Sequence, residues 1–474
     1  MILRMPSRHL VILVVVALVA VERLFGAGQE PAGQTPGTLV IAGGTVITMD
    51  AGRRVLSPGA VATSGPDIVA IGPPDEIARA YPQARTIHAA GRVVLPGLIN
   101  THTHAPMVMY RGLADDLALK DWLEQYIFPA EAKTVAPAFV RTGTRLAALE
   151  MIKSGTTTFA DMYYFEEEIA RVTRRAGLRG VLGETIIGFP SPDAKTPAEA
   201  LQRAAAFIKE FSGDSLITPA VAPHSMYLLE KEALLAARDL AIGNRVPLLI
   251  HLAETEGEVE TSRRKHHASP VQFLESIGFW APTTIAAHGV WVDDDDIATL
   301  AGRDVGVSHN PESNMKLASG TAPVPRYLAA GVAVGLGTDG AASNNDLDMF
   351  EAMRQAAFVH KLVSRDPRAM PAAAALEMAT IGGARVLGMA GRIGSLEPGK
   401  RADLIVVRMD AVRQTPLYDP ISHLVYVTRG DDVETTVVNG RVLMEGRRVT
   451  TLDEPAVLKE AQEMAEEVRK AVRR

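Results

Sequence analysis

His102 and His104 flank Thr103 at the end of an apolar run, VVLPGLIN. In extended backbone, residues two apart face the same way, so both imidazoles can reach one ion. Imidazole is a common ligand for zinc-like metals, and three or four N/O ligands make a catalytic site. The pattern of an apolar run closing on a titratable side chain then recurs. Asp161 follows TTTFA, Glu184 closes RGVLGE, His224 follows LITPAVAP, and His251 follows VPLLI. His288 follows TIAA, His309 follows VGVS, and Asp339 comes just after VAVGLG. Burying so many ionisable groups is costly unless they serve a site. They are predicted to converge on one mouth. His9, His88, His266, His267, His360 and His423 lack such context and read as surface or packing residues.

These groups require a frame that brings eight strand ends together. Helical patterns such as APAFVRTGTRLAALEMIKSG and TPAEALQRAAAFIKEF separate the apolar runs. The fold class is therefore α/β: a (β/α)8 TIM-like barrel over residues 95–390, with its chemistry at the C-terminal strand ends. Residues 38–94 and 391–450 have a different texture, short strands punctuated by Gly, Pro and Asp. Neither piece can bury a core alone, so the two are predicted to pair into a small β-sandwich. Asn439-Gly440 between apolar runs marks a hairpin. Residues 451–474 are charged and helix-prone, and are predicted to form a surface helix.

The 49 Lys+Arg and 55 Asp+Glu leave a net charge of −6 and no basic stripe for nucleic acid. The absence of cysteine excludes disulfides, thiolate metal sites and a cysteine nucleophile. Any metal must be held by His and carboxylate. Arg4 and Arg8 precede the apolar run Leu10–Val21, too short to span a bilayer and suited to a signal peptide. Residues 1–37 thus read as an export signal with a disordered lead-in. The expectation is a periplasmic or secreted protein, membrane-anchored only if the signal is uncleaved, and a homo-oligomer with a small-molecule substrate. Two patterns invite other readings. GLGTDG at Gly335–Gly340 fits a dinucleotide fingerprint, yet it lies at the eighth repeat and contains Asp339. Asp293 to Asp296 reads as a solvated helix N-terminus rather than a calcium site.

Together, PGLINTHTH, HLAET, AAHGV, SHNPESNMKLASG, GLGTDG and GSLEPGKRADLIV resemble the amidohydrolase superfamily. The branch they resemble is that of the 5-methylthioadenosine/S-adenosylhomocysteine deaminases, relatives of the chlorotriazine hydrolases. The resemblance implies metal ligation by His102, His104, His251 and Asp339. It implies that His288 and Asp339 activate water and that Glu254 protonates the substrate ring. Glu131 in FPAEAK matches a glutamate that binds ribose hydroxyls, His224 a substrate-contacting histidine, and Trp122 a residue lining the base pocket. One divalent ion is expected, zinc before iron or manganese, because the fourth strand ends APHS with no bridging lysine.

The chemistry of these residue types agrees. A metal makes hydroxide available at neutral pH, and a carboxyl group can protonate the ring nitrogen beside the attacked carbon. The leading expectation is hydrolytic deamination of adenosine-type nucleosides. The alternatives are hydrolysis of a guanine, a triazine or a cyclic amide on the same scaffold, and a non-catalytic ligand-binding relative. In one respect the chain departs from the family. Members that take S-adenosylhomocysteine grip its distal carboxylate with arginines between the third and fourth strands. Here that stretch offers Lys195, Arg203 and Lys209, and none aligns.

Overall fold

The computed structural model describes residues 37–472. The segment carrying the expected export signal lies outside these residues. Five strands open the described chain: β1 (Thr38–Ile47), β2 (Val55–Ser64), β3 (Asp67–Gly72), β4 (Arg85–His88) and β5 (Arg92–Pro96). Eight parallel strands follow: β6 (Leu98–Thr103), β7 (Thr156–Tyr163), β8 (Arg179–Ile186), β9 (Ile217–Pro223), β10 (Leu248–Leu252), β11 (Thr284–His288), β12 (Gly306–His309) and β13 (Val334–Leu336). They pair in chain order, and helices between them cover the outside, as in a (β/α)8 barrel. β14 (Leu404–Arg408), β15 (Val433–Val438), β16 (Arg441–Glu445) and β17 (Arg448–Val449) then return to the first five strands.

The two end segments do pair. β5 runs antiparallel to β14, joining both pieces in one nine-stranded mixed sheet. Leu39, Ile41 and Val61 share a core there with Leu404, Val406 and Val437. Asn439 and Gly440 turn the β15–β16 hairpin, both at positive φ (52° and 75°), as this tight turn requires.

The single apolar run VVLPGLI divides between the two sheets at Gly97. The Gly97 N–H donates to Asp403 O (3.1 Å) in the mixed sheet, and the next N–H, Leu98, donates to Gly155 O (3.0 Å) beside the barrel. A Cβ at Gly97 would lie 2.1 Å from the Thr157 side chain. Only glycine lets the chain cross there, which is why one hydrophobic run feeds two sheets.

The barrel closes between its first and last strands without a regular ladder. Thr101 Oγ1 donates to Leu336 O (2.9 Å), and the Asp339 N–H donates to His102 O (2.9 Å). A Cβ at Gly337 would meet Asn310 Oδ1 at 2.3 Å and His102 N at 2.9 Å. The glycines of GLGTDG therefore permit close approach at a seam, and no helix follows until Met349. Asp293 caps the helix Asp294–Gly302 reciprocally with Asp296, so the acidic run is a helix start.

The terminal helix Glu454–Val472 packs Val457, Ala461 and Val468 inward and pairs Glu454 with Lys153 (2.7 Å). Among the described residues no helix is long and apolar enough to cross a membrane. Arg179 of β8 is 2% exposed and grips Asp403 of the mixed sheet through two bonds (2.9 and 3.2 Å). Removing one member of a buried pair strands the other charge, at a cost of about 3–5 kcal/mol. Asp403→Ala is therefore expected to lose about that much stability in urea unfolding, and a loss under about 1 kcal/mol would remove this pair as the link between the sheets.

Candidate active site

Six of the groups found at strand ends meet at the C-terminal mouth of the barrel. His102 Nε2 lies 3.5 Å and His104 Nε2 3.4 Å from Asp339 Oδ1. His251 Nε2 lies 3.3 Å from His104 Nε2. His288 and Asp339 with His102, and His251 with His102 and His104, form two overlapping groups close enough to share one ion. The His224 ring lies tilted against that of His251, with centroids 4.5 Å apart.

The second nitrogen of each imidazole decides what the first can do. His104 Nδ1 donates to Met162 O (2.6 Å), and His251 Nδ1 donates to His224 O (2.9 Å). A carbonyl only accepts, so the protons sit on Nδ1 and both Nε2 atoms present lone pairs. Those lone pairs face each other at 3.3 Å. His102 Nε2 is buried with no hydrogen-bond partner. Burial also lowers the basicity of His102, to about 4, and of His104 and His251, which keeps them neutral. Neutral donors around an ionised Asp339 fit one divalent cation. Asp339 is held well below the ordinary carboxylate range. Burial opposes this, but the adjacent His102 and the other surrounding imidazoles outweigh it.

Glu254 and His288 stand beside this cluster, with Glu254 Oε2 3.7 Å from His288 Nε2. Burial raises Glu254, partly offset by His288. For His288, burial acts downward, but the carboxylates of Glu254 and Asp339 raise it overall. His288 and Asp339 both sit at positive φ (76° and 63°), a strained backbone that recurs at functional sites.

Their supports were not anticipated. Asn314 Oδ1 lies 2.9 Å from His288 Nδ1, and Ser313 donates to Asp339 Oδ2 (2.7 Å). Ser319 donates to Glu254 Oε1 (3.3 Å). Glu258 accepts the N–H groups of Ala253 and Glu254 (3.1 and 2.9 Å), fixing the turn after His251. Thr255-x-x-Glu258 is a readable capping pattern and was the available signal for Glu258.

Three strand-end groups do not join the mouth. Asp161 accepts the Ala105 N–H (2.5 Å), Glu184 binds Arg203 (2.7 Å), and His309 meets His360 (3.1 Å). They turn toward neighbouring loops and helices, so they brace the barrel. Arg203 is further engaged by Glu167 and Asp193, so it offers nothing to the cavity.

The cavity above the cluster holds ≈ 610 Å³ of empty space. Trp122, Glu131, Tyr163, His224, Tyr227 and Glu254 line it. Trp122 Nε1 is buried and unpartnered. Glu131 is 5% exposed, accepts from Tyr163 Oη (2.7 Å), and is pushed up by burial to about 7. The segment Leu119–Thr134, which includes one π-helical turn at Leu123–Ile127, carries Trp122 and Glu131 over the mouth.

Residues 93–443 match the amidohydrolase family model. The chain belongs to the amidohydrolase family. It is 48% identical over 437 residues to a 5-methylthioadenosine/S-adenosylhomocysteine deaminase of Syntrophobacter fumaroxidans, covering 92% of this chain and 100% of that one. It is 45% identical to a 5′-deoxyadenosine deaminase of Methanosarcina acetivorans over 91% of this chain and 98% of that one. Its fold superposes on the crystal structure of a Xanthomonas campestris adenosine deaminase with bound zinc. The TM-score is 0.89 at 38% identity, over 92% of this chain and 99% of that one.

For this amidohydrolase the ligand geometry sets a direct expectation. The purified protein should carry about one divalent ion per chain, and His251→Ala should lose it, read by elemental analysis and chelator competition. Two ions per chain, or an unchanged affinity in His251→Ala, would overturn the ligand set.

Proposed function

We propose that the chain is a metal-dependent hydrolytic deaminase of adenosine-type nucleosides. What carries this reading is the placement of two buried carboxyls in the wall of one cavity, Glu254 beside the metal ligands and Glu131 on the segment that also carries Trp122. Close relatives named as deaminases of such nucleosides support it, and the zinc of the Xanthomonas relative favours zinc here.

When bound, the ion acts as a Lewis acid that makes water acidic near neutral pH. His102, His104, His251 and Asp339 hold it. Asp339 and His288 accept the proton released by water, His288 being fixed for this by Asn314. Glu254, kept protonated more readily by burial, donates to the ring nitrogen next to the attacked carbon. The proton gathered on His288 or Asp339 then goes to the departing amine, the added hydroxyl gives its remaining proton back to Glu254 as the carbonyl forms, and ammonia and the inosine analogue leave. Glu131 accepts from the ribose hydroxyls, His224 and Trp122 contact the base, and the covering segment excludes water.

Glu254→Gln retains shape and loses the transferable proton. The rate should fall about 10²–10⁴-fold with the metal still bound. An unchanged rate would make Glu254 only a supporting group.

Glu131 offers a separate test with a worked sign. Below about pH 7 its carboxyl is protonated and gives up an acceptor site; above it both oxygens accept. The ratio of kcat/KM for adenosine to that for 2′,3′-dideoxyadenosine should therefore rise as pH passes upward through about 7. In Glu131→Gln the ratio should be small and flat with pH. A ratio near one at every pH in the wild type would transfer the assignment to a substrate without ribose.

A further inference from the structure

A more open cavity of ≈ 1640 Å³ empty space adjoins the chamber over the metal ligands, and Leu119, Leu123, Phe128, Tyr227 and Leu317 belong to both walls. Trp291 and Ser319 line only the outer one. Trp291 is 39% exposed there, yet both of its N–H groups are spent on the surroundings of Glu254.

The main-chain N–H of Trp291 donates to Ala253 O (2.9 Å), the carbonyl directly before Glu254. Its indole N–H donates to Ser319 O (2.6 Å), and the Ser319 hydroxyl donates to Glu254 Oε1 (3.3 Å). One residue thus grips Glu254 at its backbone and, through Ser319, at its carboxyl. A Cβ at Gly320 would lie 2.9 Å from Val290 Cγ1 and 3.3 Å from Trp291 Nε1, so glycine lets the chain pass close under the indole. The Ser319 N–H donates to Asn314 O (2.8 Å), and Asn314 Oδ1 lies 2.9 Å from His288 Nδ1. The segment from Asn314 to Ser319 therefore bonds both members of the Glu254–His288 pair, which stand 3.7 Å apart. With Ser319 donating to Oε1, a proton on Glu254 is favoured on Oε2, the oxygen facing His288.

We propose that Trp291, outside the wall of the chamber, is a positioning residue for the proton donor: its indole N–H fixes Ser319, and Ser319 holds the Glu254 carboxyl with Oε2 turned toward His288. The proposal rests on the reading of Glu254 as the acid that protonates the substrate ring. A packing role alone asks only for an aromatic ring at position 291, whereas positioning asks for its N–H. A carboxyl without this guide samples other rotamers, and a proton donor misplaced by about 1 Å loses rate rather than substrate binding.

The test compares wild type, Trp291→Phe, Ser319→Ala and the double variant, all metal-loaded, with 5′-methylthioadenosine and adenosine as substrates. Trp291→Phe keeps a ring and loses the N–H. It should lower kcat about three- to tenfold, the worth of one hydrogen bond, with KM within about twofold. In the Ser319→Ala background the same change should cost less than about twofold, because the path through the hydroxyl is already cut. An unchanged kcat in Trp291→Phe, or an equal loss with and without the Ser319 hydroxyl, would overturn the proposal. Crystals give a readout that needs no turnover. Glu254 should hold one orientation in wild type and lose it in Trp291→Phe and in Ser319→Ala, with metal content and thermal stability close to wild type. A Glu254 equally ordered in all three would overturn the positioning role. Failure of wild type to deaminate either nucleoside would instead reject the nucleoside reading, and the crystal comparison would still decide the role of Trp291.

Discussion

Two imidazole nitrogens with their protons committed elsewhere face each other at 3.3 Å inside the barrel mouth. Met162 O and His224 O fix those protons on the far side of each ring. The contact is repulsive unless a cation lies among the nitrogens, and the rest of the site is arranged around that requirement. Asp339 reaches the cluster because the barrel seam carries its N–H onto His102 O. The seam can close so tightly only because residue 337 is glycine. A ligand set drawn from the first, fifth and eighth strands thus depends on a backbone packing condition at one residue.

The strand ends divide into two kinds. Those on the cavity side bring ligands and acid or base groups. Asp161, Glu184 and His309 instead bond to the backbone after His104, to Arg203 and the Glu166 N–H, and to His360, and so brace neighbouring segments. Asp161 is the plainest case: its oxygen holds the peptide immediately after His104, while the next residue's carbonyl holds the His104 ring. Two consecutive residues of β7 therefore set both the backbone and the ring orientation of one ligand, and such support is what keeps a metal site in geometry.

Much of this was legible in the residues. His102-x-His104, the recurrent strand-end groups and Asn439-Gly440 each have a local period or turn preference that stands out in one dimension. The split of VVLPGLI at Gly97 was not legible, because it depends on Thr157, some sixty residues away, leaving no room for a side chain. Nor was the sorting of strand-end groups into ligands and braces, since a terminal side chain can turn to either face once the strand gives way to a loop. The supports Asn314, Ser313 and Ser319 lie in a polar stretch, SHNPESNMKLASG, whose composition signals a site without saying which atom each residue meets.

The two buried carboxyls show how one cavity asks opposite things of one functional group. In the proposed function, Glu254 is useful while it holds a proton, and Glu131 while it does not. Burial raises both. Their neighbours separate them. For Glu254 the nearby Asp339 carboxylate adds to the rise against the opposing pull of His288, and Ser319 supplies only a 3.3 Å bond. Glu131 receives a shorter bond from the Tyr163 hydroxyl (2.7 Å), which favours its ionised form, and is without a charged partner that could hand it a proton. On the proposed function, vicinal hydroxyls of a bound sugar would extend that stabilisation and favour the ionised carboxyl. Recognition and catalysis would then, on that proposal, use the same desolvated cavity, with the carboxyl nearer the imidazoles serving as acid and the one beside the phenol serving as acceptor.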